Sequence, residues 1–148
     1  MHTRGRPSHW KTQEPVDDIV GEVEHDLANR VQVAFGAGIE QDRIVLDPGF
    51  GFGKNFDENY PLLAEFGRLH RMGFPLLAGA SRKGFIGRTV AQRTGREVGP
   101  SERLFGSLAA MTACILQGAH IVRVHDVKPS VEAAAVADAI LAASGESS

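Results

Sequence analysis

The chain of 148 residues contains one cysteine, Cys114, and no apolar run approaching the roughly 18 residues that a membrane-spanning helix needs. A single thiol cannot form an internal disulfide, and its apolar helical surroundings favour a buried side chain over a reactive one. The CxxC and HExxH spacings that hold metal ions are missing too, and no signal-peptide core follows Met1. We therefore expect a cytoplasmic protein without a membrane partner.

The sequence also has little excess charge of either sign. Sixteen Lys and Arg residues stand against 18 Asp and Glu residues, which gives a net charge of -2. This balance gives no indication of nucleic acid or an anionic membrane surface as partner, although basic residues can still cluster locally. The apolar content of 43% and the charged content of 23% are globular values, and the length suits one domain. We expect a single globular domain with no nucleic-acid partner.

Helical and extended patterns alternate along the chain. Residues 1–14 are expected to be a loop or the frayed end of a strand, and residues 89–99 an exposed loop. Phe105 is expected on the inward face of its helix. Strands are expected over 44–46, 75–80 and 120–126, and helices over 16–35, 58–72 and 100–117 and from about Pro129, fading into 145–148. Such alternation predicts an α/β fold with a parallel sheet. Three strands cannot close a barrel, so two edges and one face would stay open.

The stretch IVLDPGFGFGK, residues 44–54, organises the chain. An apolar strand ends at Asp47, and a Pro-Gly turn opens a loop with three alternating glycines. Glycine allows close backbone approach, Phe50 and Phe52 can wall a flat pocket, and Lys54 can snorkel or cap. A functional loop and a purely structural turn both fit this pattern.

Polar residues follow every predicted strand. The carboxyl ends of parallel strands lie on one edge of a sheet, so these residues should converge there. The set comprises Asp47, then Ser81, Arg82 and Lys83, then Arg123, His125 and Asp126. Convergence of acidic, basic and imidazole groups at one edge predicts a ligand pocket.

The last strand carries Arg123 and His125 on one face. An arginine within an apolar strand needs an anion or a flat ring, or else a structural carboxylate. His125 could donate to a phosphate oxygen, or be a structural histidine with satisfied hydrogen bonds.

Two further side chains complete the expected pocket. Lys83 can reach a carbonyl or phosphate oxygen, although a solvated loop lysine is the alternative. Asp47 can accept two hydrogen bonds from an aminopyrimidine edge, or else cap the following turn. Ser81 has no histidine nearby in sequence, so a nucleophile with an adjacent base is unsupported. The pattern favours a pocket for a flat, nitrogen-rich ring bearing an anionic group.

Five segments in order, MHTRGRP, LDPGFGFGKN, LLAGASRKGFIG, GPSERLFGSLA and GAHIVRVHDV, resemble the dihydropteroate synthase family. The resemblance implies a TIM (β/α)8 barrel, of which residues 1–148 would form the C-terminal half as a partial pterin-binding domain. That half would run from the end of strand 5 to helix 8 and would be incomplete as a lone chain. The family's first half, with the asparagine that holds Mg²⁺, has no counterpart here, so Mg²⁺ is implied without a ligand from this chain.

The resemblance implies a folate-pathway transferase that sulfonamides target. It condenses 6-hydroxymethyl-7,8-dihydropterin pyrophosphate with 4-aminobenzoate to give 7,8-dihydropteroate and pyrophosphate. Catalytic roles would fall to Lys83, Arg123 and His125, with Arg123 stacking on the pterin and sharing phosphate binding with His125. Orientation and stabilisation of the leaving pyrophosphate would drive the reaction without a covalent enzyme intermediate.

The same resemblance assigns substrate contacts. Asp47 and Lys83 would hold the pterin edge, and Met1 would pack on the pterin. Phe52 and Ser81 would line the aminobenzoate side. The substrate-binding set is Met1, Asp47, Phe52, Gly79, Ser81, Lys83, Arg123 and His125.

One departure from the family pattern concerns Gly84, where the family often has serine, so aminobenzoate contacts would rely on backbone amides there. The expected partner is a second copy, in a homodimer, or a complementary N-terminal half. Ala133, Ala134, Ala135 and Ala137 would permit close approach of helices at such a dimer contact. A noncatalytic remnant that self-associates or binds pterin weakly is the alternative. The SRK and RVHD segments argue against a pterin-binding methyltransferase domain.

Overall fold

The computed structural model describes residues 1–145, and only the backbone of Lys11. The α-helices are α1 (Ile19–Gly36), α2 (Asn59–Ala64), α3 (Gly84–Thr94), α4 (Leu104–Leu116) and α5 (Val127–Ser144). The strands are β1 (Leu77–Ala78) and β2 (Ile121–Val122), and short 3-10 helices span Pro7–Thr12, Gln41–Arg43, Phe66–Met72 and Pro100–Glu102. The predicted fading of the last helix over 146–148 lies outside the described residues.

The strands form a parallel arrangement, as predicted. Leu77 of β1 pairs with Ile121 of β2, and Leu46 forms an isolated parallel bridge with Leu76. The ladder is shorter than the predicted strands. The parallel α/β alternation is thus confirmed, whereas the half-barrel stays a prediction.

The two faces of these strands differ in their surroundings. Leu46, Leu76 and Ala78 are buried against the helices. Val45 and Ile121, whose side chains alternate to the opposite face, are 41% and 44% exposed. The open face is therefore the one that carries Asp47, Gly79 and Arg123 two residues further along their strands.

The helices cover the other face. Helix α1 buries one stripe at helical spacing, and Asp18 caps its start by accepting a 2.8 Å hydrogen bond from the amide of Gly21. The stripe comprises Ile19, Val20, Val23, Leu27 and Val31. Cys114 lies in the same core and is fully buried, and burial raises the pKa of its thiol to about 12, as expected for an inert side chain.

Several predictions about the helices were wrong. The expected loop over 89–99 is helical up to Thr94. Its sequence is similar to that of a loop because α3 buries only its first turns, through Phe85 and Ile86, and the rest of the helix is polar. The helix expected over 58–72 breaks at Glu65 and continues as a 3-10 helix. Phe105 is 82% exposed instead of inward.

Helix α5 packs on α4 through small side chains. Ala137 is fully buried beside Met111 and Ile115, and Ala133 and Ala134 pack on the same cluster. Ala133, Ala134 and Ala137 therefore face α4 inside the chain, contrary to the dimer contact expected for them. Only Ala135 of the four is exposed.

Candidate functional site

A cavity of about 440 Å³ opens at the carboxyl ends of the strands. It is lined by Met1, Phe52, Gly79, Ser81, Lys83, Arg123, Val124 and His125. Seven of the eight residues with an expected substrate contact are in this lining. The eighth, Asp47, contacts Arg123 of the lining.

Asp47 and Arg123 form an ion pair across the middle strand. The Arg123 guanidinium donates from Nη2 to Asp47 Oδ2 over 3.1 Å, and a Cβ atom on Gly79 would lie 2.6 Å from the same Nη2. Glycine is required between them because the arginine side chain crosses the strand at that point. The other oxygen, Asp47 Oδ1, accepts from the amide of Gly49 at 2.7 Å. Both structural alternatives considered for this pair, a turn cap and a carboxylate partner, are therefore realised.

Lys83 lies against an aromatic ring. Its Nζ is 3.9 Å from the centroid of the Phe52 ring, a cation-π contact. Burial lowers the pKa of Lys83, and the nearby Arg123 guanidinium lowers it further, whereas the Asp47 carboxylate raises it. The three charged groups thus act on one another within one site.

Ser81 and His125 form a second polar pair in the cavity. Ser81 Oγ accepts from the backbone amide of His125 at 3.2 Å and lies 3.0 Å from its ring Nδ1. This contact leaves the imidazole Nε2 available to a ligand. The hydroxyl and imidazole are adjacent in space, although 44 residues separate them in sequence.

Phe50 and Phe52 have different surroundings. Phe50 is fully buried and stacks on Phe66 at a centroid distance of 6.3 Å, so the expectation that it walls the pocket was wrong. Phe52 lines the cavity and meets the ring of Trp10 edge-on at 5.2 Å.

Arg82, next to Lys83, has a left-handed backbone with φ +56°. Its side chain donates to both carboxylate oxygens of Asp126, from Nε at 3.0 Å and from Nη2 at 2.5 Å. Its amide donates to Ser107 Oγ at 2.8 Å, and its carbonyl accepts from Arg103 at 2.9 Å. These contacts fix a strained residue and so set the position of Lys83.

The N-terminal segment is packed beside the glycine-rich loop. The His2 amide donates to the Asp47 carbonyl at 2.8 Å, and the Arg4 amide donates to the Phe52 carbonyl at 3.3 Å. A Cβ atom on Gly49 would lie 2.0 Å from the His2 carbonyl oxygen. The glycines therefore admit this segment of the same chain, and residues 1–14 are not a frayed end.

Sequence reasoning missed several residues around the cavity. His2 and Ser107 make contacts that link sequence-distant segments, and nothing in the sequence pattern signals them. Val124 lines the cavity although strand alternation placed it away from Arg123 and His125. Arg82 belongs to the predicted set of polar residues at the strand ends, but its ion pair with Asp126 was not predicted.

Among residues 1–145, no three His, Cys, Asp or Glu side chains lie close enough together to hold a metal ion. Because Mg²⁺ is commonly held by one or two carboxylates together with waters and substrate phosphates, the implied Mg²⁺ stays a prediction. In the same described residues, no helix has both the length and the apolar character needed to cross a membrane.

Residues 1–125 match the sequence profile of the family described as pterin binding enzyme. The chain therefore belongs to the pterin binding enzyme family. Its relatives include the dihydropteroate synthase of Escherichia coli K12, which is 46% identical over 143 residues covering 97% of this chain and 49% of the relative. The dihydropteroate synthase of Synechocystis is 40% identical over 140 residues, covering 95% of this chain and 47% of the relative.

This chain is also similar to solved structures of dihydropteroate synthases. Yersinia pestis dihydropteroate synthase with a sulfonamide drug has a TM-score of 0.89 and 38% identity, over 96% of this chain and 50% of that one. The Xanthomonas albilineans enzyme in complex with 7,8-dihydropteroate has a TM-score of 0.78 and 44% identity, over 88% and 48%. The chain thus spans about half the length of the relatives that it matches.

Proposed function

We propose that the chain supplies the pterin- and aminobenzoate-binding part of a dihydropteroate synthase. This transferase condenses 6-hydroxymethyl-7,8-dihydropterin pyrophosphate with 4-aminobenzoate, giving 7,8-dihydropteroate and pyrophosphate. The observation that carries the proposal is the cavity at the strand ends, with its aromatic wall, its cations and the adjacent buried carboxylate. Relatives at 40% and 46% identity bear the name of that enzyme.

The carboxylate suits the pterin ring. Asp47 is 5% exposed and uses one acceptor position on each oxygen, for Gly49 and for Arg123. A carboxylate has about four such positions, so two remain for the N–H donors of an aminopyrimidine. The Arg123 guanidinium, whose side chain is 54% exposed, can stack on the ring with its flat face.

The basic groups suit the leaving pyrophosphate. Arg123, His125 and Lys83 line one cavity and can stabilise the negative charge that develops on the departing group. The aminobenzoate would lie on the side formed by Phe52 and Ser81. The same cavity would hold the attacking amine and the methylene carbon together, which lowers the entropy cost of reaction.

We further propose that residues 1–148 form the C-terminal half of a (β/α)8 barrel. The coverage of about half of each relative and the open strand face at Val45 and Ile121 support this. A complementary N-terminal half or a second copy would cover that face, and Mg²⁺, which would neutralise pyrophosphate charge, would need ligands from outside residues 1–145. Exposed valines and an isoleucine on α5, Val127, Val131, Val136 and Ile140, favour a second candidate, a noncatalytic chain that self-associates.

The test is calorimetric titration of the purified chain with 7,8-dihydropteroate. We expect saturable binding that weakens about tenfold or more in Lys83→Met, because a hydrogen bond to a charged group contributes about 1.5–3 kcal/mol. Lys128→Met, which removes an exposed lysine of α5, is the matched control and should bind like the original chain. Equal affinities in all three proteins, or no saturation, would contradict the proposal.

Turnover is a separate question. We expect the purified chain alone to show negligible condensation of the pterin pyrophosphate with 4-aminobenzoate, because it spans half of the relatives' length. Appearance of dihydropteroate at a rate typical of an intact enzyme would refute that expectation.

A further inference from the structure

Lys54 is a buried lysine outside the cavity. Lys54 is only 7% exposed, and its Nζ lies 2.8 Å from the Gly49 carbonyl oxygen and 2.8 Å from His2 Nδ1. Burial of a lysine is costly unless its donors are satisfied, so a residue in this position needs a structural reason.

The amine joins two segments that are distant in sequence. His2 belongs to the N-terminal segment and Gly49 to the glycine-rich loop, and His2 and Lys54 are 52 residues apart. Both acceptors are internal to the protein, and the amine points away from solvent. The contact therefore ties the segment to the loop.

Gly49 links Lys54 to Asp47 and Phe52 through hydrogen bonds. Its carbonyl oxygen accepts from Lys54 and also from the amide of Phe52 at 3.1 Å. Its own amide donates to Asp47 Oδ1 at 2.7 Å. The amide and carbonyl groups of Gly49 thus fix the orientation of the Asp47 carboxylate and the position of the Phe52 backbone.

His2 links Lys54 to the backbone of Asp47 and to Met1, which lines the cavity. Its backbone amide donates to the Asp47 carbonyl at 2.8 Å, and its neighbour Met1 lines the cavity. The other ring nitrogen, Nε2, lies 3.7 Å from Asp26 Oδ2; when Lys54 donates to Nδ1, the proton of the neutral ring is on Nε2.

The electrostatics agree with this geometry. Burial lowers the pKa of Lys54 to about 7 against the opposing effect of the Asp47 carboxylate, and both forms of the amine have at least one N–H donor for each of the two neighbouring acceptor atoms. The pKa of His2 is lowered to about 4, by burial first and then by Lys54. The charged and titratable groups that act on the pair are Arg4, Glu22, Asp26, Arg30, Asp47 and Glu58.

We propose that Lys54 is a positioning residue that sets Met1, Asp47 and Phe52 relative to one another, without itself touching the ligand. The proposal rests on the proposed function, since it assigns these three residues to the ligand pocket. It predicts that loss of the amine loosens one wall of the cavity while Lys83, Arg123 and the strands stay in place.

The experiment compares Lys54→Met, Lys54→Gln and the control Lys128→Met in the full chain. Binding of 7,8-dihydropteroate is measured by calorimetry, and the His2 imidazole, the Met1 methyl and the Phe52 ring are followed by NMR. We expect about tenfold weaker binding in Lys54→Met and a smaller loss in Lys54→Gln, whose amide can still donate to the Gly49 carbonyl. The pKa of His2 should rise in Lys54→Met, and the Met1 and Phe52 resonances should shift.

The outcomes separate the two proposals. Unchanged His2, Met1 and Phe52 resonances in Lys54→Met overturn the positioning role, as does unchanged affinity in a chain that binds the ligand. If the original chain does not bind dihydropteroate, the proposed function fails, and the NMR comparison with Lys128→Met still decides whether Lys54 sets this wall. Should Lys54→Met not fold, Lys54→Gln provides the same comparison, and unchanged resonances there overturn the role.

Discussion

Replacement of Gly49 by alanine probes the packing of the N-terminal segment beneath the site. Gly49 has φ +68°, and an added Cβ would lie 2.0 Å from the carbonyl oxygen of His2. A left-handed backbone costs a non-glycine residue about 1–2 kcal/mol. The clash is with backbone, so the segment itself must move by more than about 1 Å to restore van der Waals distance.

That movement has a further cost. It stretches the 2.8 Å hydrogen bond from the His2 amide to Asp47, which contributes about 1 kcal/mol, and it disturbs a buried side chain, for which overpacking costs about 1–3 kcal/mol. We expect Gly49→Ala to lower the free energy of unfolding by about 3–6 kcal/mol. Urea unfolding followed by circular dichroism measures this value.

Gly38 provides the matched control. It has φ +80° and no atom within 4 Å of an added Cβ. Gly38→Ala should therefore cost only the backbone term of about 1–2 kcal/mol. Equal losses in the two variants would refute the reasoning, because they would mean that the His2 carbonyl does not occupy the space above Gly49.

Three other predictions concern charges. Asp47→Asn keeps an oxygen for the turn but loses the charge that pairs with Arg123, so dihydropteroate affinity should fall about tenfold or more by calorimetry with little loss of stability. The folded chain lowers the pKa of His2 from 6.5 to about 4, so the unfolded state binds more protons between these two pH values. The free energy of unfolding should therefore fall as the pH decreases from 6.5 towards 4, and it should fall less steeply in His2→Gln. In urea unfolding, Asp126→Asn and Arg82→Gln should each lower the free energy of unfolding, and the double variant should lower it by less than the sum of the two losses.

Much of the fold could be predicted because it depends on local patterns. Helix α1 shows a complete apolar stripe with an acidic start, and the predicted range 16–35 overlaps the observed helix Ile19–Gly36 except for its first three residues. Gly73 and Gly145 have left-handed backbones directly after helical segments, as expected of residues that end helices. Helix α3 was missed because its apolar residues occupy only the first turns.

The site likewise has features that local sequence patterns predict and features that they do not. Polar residues at strand ends could be identified from sequence, and the structure gathers them at one cavity, although their roles in binding stay predictions. The contacts of Lys54 with His2 and of Arg82 with Asp126 span 52 and 44 residues. Such pairs depend on how distant segments pack, and no local pattern encodes them. The burial of Phe50 likewise depends on distant residues, since its ring packs on Phe66 and Phe85.

The contact between Trp10 and Phe52 has a practical consequence. Trp10 is the only tryptophan in the sequence, and its ring meets, at 5.2 Å, a ring that forms part of the cavity wall. A molecule that contacts Phe52 inside the cavity would therefore alter the surroundings of the indole. The chain consequently carries its own fluorophore beside the pocket, and emission intensity can report occupancy without any label.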